Sequence, residues 1–213
     1  MDQQRLLGPV DTIRHHPDKM NLLDRIEKNF SESIAIQQNA VAVLQNHIAL
    51  AAQMLTHCLL AGGKILSCGN GSTLCDAEHF SSLMLHRFET ERPGLPAIAL
   101  TASTTLNAIA HDGLLDQVFA KQLQTLGHTG DILLVLSAGG ACNSLLQAIN
   151  AAHQRDMHVI LLSSQDDLEL AQALQPDDIE IRIPSRATPR IQEMHRFIIH
   201  CLCDLIDHQL MGG

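Results

Sequence analysis

The sequence predicts a doubly wound α/β fold around a parallel sheet, and three observations carry that expectation. Past Gly63, short apolar runs recur along the chain. The runs are continuous in Val, Ile and Leu, as strands buried on both faces require. Amphipathic segments of helical spacing separate them, and strand-helix alternation is the signature of a parallel sheet covered on both sides.

The predicted strands are Lys64–Cys68, Pro96–Thr101, Asp131–Ser137, His158–Ser163 and Ile179–Pro184. Helical spacing is found near Leu74–Arg87, Thr104–Ala110, Asp116–Leu126, Ser144–Arg155 and Leu168–Leu174. A last helix, about Pro189–Met211, carries Ile191, Met194, Ile198, Leu202, Leu205 and Ile206 on one stripe. Ahead of the first strand, from about Lys19 to Leu60, Leu23, Ile26, Phe30, Ile34, Val41, Leu44, Ile48, Leu55 and Leu59 also recur at helical spacing. The polar cluster Gln37-Gln38-Asn39 offers a point for bending into two helices, and Gly62-Gly63 a stop. One unbroken helix would run roughly 60 Å at 1.5 Å per residue, more than a domain of this size covers. Its excess apolar face is therefore expected to pack against another subunit. Residues 1–20, with Pro9, Pro17 and His15-His16, read as a loose tail, and residues 21–213 as a single domain that includes the N-terminal helices.

With 213 residues, 46% hydrophobic and 17% charged, the chain can build a sizeable core. Trp and Tyr are absent and Phe is limited to five positions, so the core is aliphatic and base-stacking nucleic-acid modules are disfavoured. A net charge of −9 without a basic run argues against direct nucleic-acid binding and is compatible with a basic protein partner. The six cysteines lie in apolar segments without a CxxC pair, as reduced thiols in a cytoplasmic core would. Cys201-Leu-Cys203 is a weak soft-metal candidate, because residues two apart on a helix point apart. No leader-type or membrane-spanning apolar stretch is present, so a cytoplasmic protein without membrane contact is expected.

In an open parallel sheet, ligands sit beyond the C-terminal strand ends. Two loops fall there. Gly69-Asn70-Gly71-Ser72-Thr73 lets backbone approach an anion and adds hydroxyls that also suit helix capping, so an ordinary capped turn would read the same way. The second loop, Ser137 to Ser144, is small and glycine-bearing but poor in hydroxyls. The ionisable or polar candidates are His79, Asp112, Gln192, Glu193, His195 and His200. Gln192 and His200, eight apart, share a helical face, with His195 angularly near Gln192. A joint site requires the helices after the first strand and at the end of the chain to meet.

The stretches "LSCGNGSTLCDAEHF", "PAIALTASTTLNAIAHDGLLDQVFAKQL", "GDILLVLSAGG" and "RIQEMHRFIIHCLCDLID" together resemble the sugar isomerase (SIS) domain family, over about Asn21 to Leu210. More narrowly they resemble the branch that holds phosphoheptose isomerases and the DiaA-type proteins associating with the replication initiator DnaA. The resemblance implies a three-layer, five-stranded parallel sheet and a homotetramer with ligand sites at subunit interfaces.

On the isomerase side the family pattern holds zinc and a phosphosugar. It uses a histidine after the first loop, a glutamate four residues later, and a glutamine and histidine on the last helix. His79, Gln192 and His200 match, but Leu83 stands at the glutamate position, after Ser82. The phosphate-loop pattern Ser-Thr-Ser-Gly-Asn-Ser reads Ser137-Ala138-Gly139-Gly140-Ala141-Cys142, and the family's Asn-Asp pair is His111-Asp112. Each hydroxyl bond to an anion lost this way is worth about 1.5–3 kcal/mol.

The resemblance therefore implies no catalytic residue, with His79, Gln192 and His200 as remnants. It implies a ligand set of Asn70, Gly71, Ser72, Asp112, Ser137, Gly139 and Gln192. No cofactor is expected, and zinc only if isomerase activity is kept, on His79, Gln192 and His200. "RFETERPGLPAIAL" and "RIQEMH" followed by "CLCDLID" look closest to the DiaA side. The function this implies is tetravalent binding of a DnaA-type initiator, promoting its assembly at the chromosomal origin. The alternative is a sedoheptulose 7-phosphate isomerase or a non-catalytic phosphosugar-binding regulator.

Overall fold

The apolar runs form the strands they predict. In a computed structural model describing residues 21–140 and 143–212, β1 (Ile65–Gly69), β2 (Ala97–Ala99), β3 (Ile132–Leu136), β4 (His158–Ser163) and β5 (Ile179–Arg182) make one sheet. Every pairing is parallel, in the order β2-β1-β3-β4-β5. All five residues of β1 and of β3 are buried, which explains their uninterrupted apolar character.

Among the described residues seven helices accompany the strands: α1 (Leu22–Leu60), α2 (Thr73–Leu85), α3 (Ser103–His111), α4 (Ala120–Leu126), α5 (Asn143–His153), α6 (Leu168–Gln172) and α7 (Thr188–Met211). The segment predicted as one helix over 116–126 is a 3-10 turn at Leu115–Gln117 followed by α4. The period-2 geometry of the strands sorts their side chains into two layers. Ile132, Leu134 and Leu136 face a core built with α1, α2 and α7, whereas Leu133 and Val135 face one built with α4, α5 and α6. This is the expected three-layer, doubly wound arrangement. Ser67, the one polar side chain of β1, is satisfied by Ala77 O and Ser81 Oγ, each at 3.0 Å.

α1 differs from the two-helix alternative. It is continuous through Gln37-Gln38-Asn39 for 39 residues, about 58 Å at the helical rise, because no Gly or Pro interrupts it. Its buried residues begin only at Ala40 and continue through Leu44, Ala51, Ala52 and Leu55, where it packs on α7. Leu22, Leu23, Ile26, Phe30 and Ile34 in the first half are exposed.

Cys203 is buried, and burial pushes its thiol up to about 12; Cys201 is half-buried and raised for the same reason, which keeps both thiols protonated and poor metal ligands. The tail at residues 1–20 and Cys142 lie outside the described residues. Among the described residues, no helix is long and apolar enough to cross a membrane.

Candidate functional site

The strand order places the topological switch point between β1 and β3: the chain winds outward to β2 from one and to β4 from the other. Their C-terminal loops therefore flank a crevice. A cleft of about 180 Å³ lies there, lined by Asn70, Gly71, Ser72, Thr73, Ser137, Ala138, Gly139, Thr188 and Gln192. Six of the seven residues of the predicted ligand set are thus brought together. The seventh, Asp112, is not. It caps the C-terminus of α3 and is exposed, with its carboxylate 3.7 Å from His111 Nδ1. α3 follows the edge strand β2, one strand removed from the switch point, so Asp112 faces solvent in this chain.

The first loop is shaped by close backbone approach. A Cβ on Gly69 would lie 2.5 Å from Thr73 Oγ1 and 2.8 Å from Thr73 backbone, and Gly71 has φ +58°. Thr73 Oγ1 lies within bonding distance of Asn70 O (2.9 Å) and Leu136 O (3.0 Å), tying the two loops together. The Asn70 amide and Ser144 hydroxyl bond each other, at 2.9 and 3.1 Å. Ser72 stands at the N-cap of α2 without a side-chain capping bond; its hydroxyl accepts from the Gln192 amide instead.

In the second loop Ser137 points inward. Its Oγ donates to Asp167 Oδ1 at 2.6 Å, while the other oxygen of that buried carboxylate accepts from Ser164 N and Ser164 Oγ, each at 2.7 Å. Asp167 is a residue sequence reasoning missed, because only the fold brings the turn after β4 beneath the turn after β3. Gly139, with φ +93°, and Gly140, with φ +103°, complete the turn, in which the Gly139 N–H donates to Ser137 Oγ at 3.4 Å. No Lys or Arg is among the described lining residues of this cleft.

From Ser72 and Gln192 the cleft continues into an open groove of about 620 Å³ between α2 and α7. Three polar rungs join the two helices. They are Ser72 with Gln192, Asp76 Oδ1 with Arg196 Nη2 at 2.8 Å, and His79 Nε2 with His200 Nε2 at 3.0 Å. The spacing follows helix periodicity, since 192, 196 and 200 lie one turn apart on α7. Arg196 was also missed, although its place four residues from both Gln192 and His200 was the signal for it. Burial raises the Asp76 carboxyl above its ordinary value, and Arg196 pulls it partly back. Burial, then Arg196 and His200, hold the His79 imidazole below its ordinary 6.5. At neutral pH the ring contact thus needs one N–H donor and one bare nitrogen.

His195 is fully buried beside this seam, its Nδ1 3.9 Å from Asp76 Oδ2. Burial lowers its pKa to about 4 despite opposing pulls from Asp167 and the Ser137 backbone. Glu193 is exposed and pairs with Arg190 at 2.5 Å.

The zinc that the resemblance implies was expected on His79, Gln192 and His200. Gln192 bonds Ser72 two helical turns, about 12 Å, from His200. Leu83, one turn past His79, is a hydrocarbon packed on the core. Among the described residues no group of three or more His, Cys, Asp or Glu side chains converges to hold a metal ion. The donors of one chain therefore do not fit zinc, for which three protein ligands are usual even in open sites.

A family model described as SIS domain matches residues 29–164. The phosphoheptose isomerase of Methylococcus capsulatus is 54% identical over 194 residues, 91% of this chain and 100% of that relative. Among solved structures, a phosphoheptose isomerase from Francisella tularensis superposes with TM-score 0.86 at 44% identity, covering 89% of this chain and 100% of that one. The phosphoheptose isomerase from Neisseria gonorrhoeae gives TM-score 0.82 at 40% identity, over 88% and 99%.

These matches overturn the initiator-binding expectation, since the relatives spanning nearly the whole chain are named phosphoheptose isomerases. The motifs that suggested DnaA binding have a packing explanation. Arg92 of "RFETERPG" and Asp207 of "CLCDLID" are the two ends of one ion pair, 2.5 Å apart, with the Arg92 side chain fully buried. The chain belongs to the SIS domain family and, within it, to the phosphoheptose isomerase branch.

Proposed function

We propose that the chain binds a phosphorylated sugar of the phosphoheptose class and interconverts its aldose and ketose forms. The cleft between the β1 and β3 loops offers backbone amides, Asn70, Ser72 and Gln192 to the phosphate, and the sugar lies along the α2–α7 groove. The carrying observation is the His79–His200 contact in the same seam. Aldose-ketose interconversion needs a group that takes a proton from the carbon beside the carbonyl and returns it to the neighbouring carbon. An uncharged imidazole backed by a second imidazole suits that task. Arg196, one turn away, adds positive charge where enediolate character develops.

The test is to incubate the protein with sedoheptulose 7-phosphate, following isomerisation by product analysis and binding by calorimetry. Turnover should fall by about 10²–10⁴ in His79→Ala, with binding retained. A second reading, sugar-phosphate binding without turnover, is favoured by Leu83, which removes a carboxylate from the seam. Binding without any product would select it, and absence of both would sink both readings.

We also propose that the active form is a homotetramer. The exposed apolar first half of α1, and the apolar groove where Val41, Leu44 and Ile48 of α1 face Phe197 and Leu205 of α7, support burial by a second copy. Light scattering after gel filtration should give a tetramer for the native chain and smaller species for Phe197→Asp. A monomeric native chain at micromolar concentration would refute the assembly.

A further inference from the structure

We infer that His79 and His200 form a metal-free pair, each ring serving as the other's partner, and that a carboxylate at position 83 is the donor this arrangement lacks to become a metal centre. The inference builds on the site proposed above but reads it without substrate.

Two imidazole nitrogens already converge at 3.0 Å, with ring centroids 5.3 Å apart and planes inclined at 60°. Two nitrogens are one donor short of the three-ligand open sites that hold zinc. Every nearby source of a third donor is turned elsewhere. Leu83, on the face of His79 one turn later, carries no donor atom and packs on the core. Glu78, next in sequence to His79, is exposed on a different face of α2. Asp204, one turn beyond His200, lines the α1–α7 groove. Asp76 is occupied by Arg196, whose own charge further disfavours a dication in the seam. The His200 ring also lies against the Phe88 ring, with 5.5 Å between centroids. The seam is thus preorganised for metal at two positions and closed to it at a third.

Zinc titration of the full chain, by calorimetry and by metal analysis after gel filtration, tests this. The native protein should take up no zinc that His79→Ala removes. Leu83→Glu places a carboxylate four residues from His79 and should gain one zinc per chain, lost again on adding His79→Ala. The gain should reach roughly 100-fold in affinity or more, since losing even an outer-shell partner of a metal site costs about 10–100-fold. Leu83→Gln is the steric control and should fold without this gain, with circular dichroism confirming the fold of each variant. Stoichiometric zinc in the native chain, abolished by His79→Ala, would overturn the inference, and that arm is independent of whether Leu83→Glu folds. A folded Leu83→Glu variant that gains no zinc would also overturn it. Failure of the isomerase reading alone leaves both arms intact, because neither measures turnover.

Discussion

Arg92→Ala should cost about 3–5 kcal/mol of folding stability, read as a lowered urea midpoint, because it strands a carboxylate in an apolar seam. The Arg92 side chain is fully buried and Asp207 only 10% exposed, with Nε to Oδ1 at 2.5 Å. The same guanidinium also donates to the carbonyls of Leu83 and Met84 at the end of α2, and to Pro93 O. Removing it therefore takes a donor from four acceptors at once, of which Met84 O keeps its bond from Leu95 N at 2.9 Å. Arg92→Lys should recover little, since an ammonium on a flexible stem does not reproduce the planar fork. The contrast is Arg87, which pairs with Glu91 on the surface, both well exposed; Arg87→Ala should change stability by less than about 1 kcal/mol. Equal losses at Arg92 and Arg87 would refute the assignment of the buried pair as the tether between α2 and α7.

Acidification should destabilise the protein through His195. Its folded pKa, about 4, lies below the unfolded value of 6.5, so the unfolded chain takes up the proton first as pH falls. The stabilisation is complete above pH 6.5, declines between 6.5 and 4, and its full loss is about 3 kcal/mol at about 1.4 kcal/mol per unit. His79, also lowered, adds in the same sense, whereas Asp76, raised by burial, opposes nearer the carboxylate range. The difference between the native chain and His195→Gln isolates the effect. Unfolding free energy plotted against pH should be flatter for the variant between pH 6.5 and 5. Parallel curves would show that His195 does not titrate with folding.

The sheet was legible because its chemistry is local. A strand buried on both faces must be apolar at every position, and Ile132 to Leu136 advertises that directly. β2 was overestimated because only Ala97–Ala99 pair with β1, and Ile98 on this edge strand is 40% exposed. The loops of the site were legible for the same local reason, glycines following strands. What sequence did not disclose depends on tertiary placement. Asp167 comes under Ser137 only when β4 lies beside β3, and Arg196 meets Asp76 only when α7 lies along α2. Asp112 was assigned by motif rather than geometry, and the fold turned it to solvent. The initiator-binding reading failed in a related way. The short motifs behind it include Arg92 and Asp207, whose identities answer to a buried ion pair and carry no information about a partner.

The rungs of the α2–α7 seam have a consequence for how the gene can vary. Gln192, Arg196, His200 and Asp207 are phased along one helix, and each meets a partner on α2 or in the chain flanking it. Inserting or deleting one residue between 192 and 207 rotates everything downstream by about 100° and shifts it about 1.5 Å. The phosphate-side bond, the histidine pair and the buried ion pair then cannot all stay in register. Point substitutions can sample this surface one contact at a time, but changes of length there remove several together. The helical phase of α7 is consequently constrained as a unit from Gln192 to Asp207.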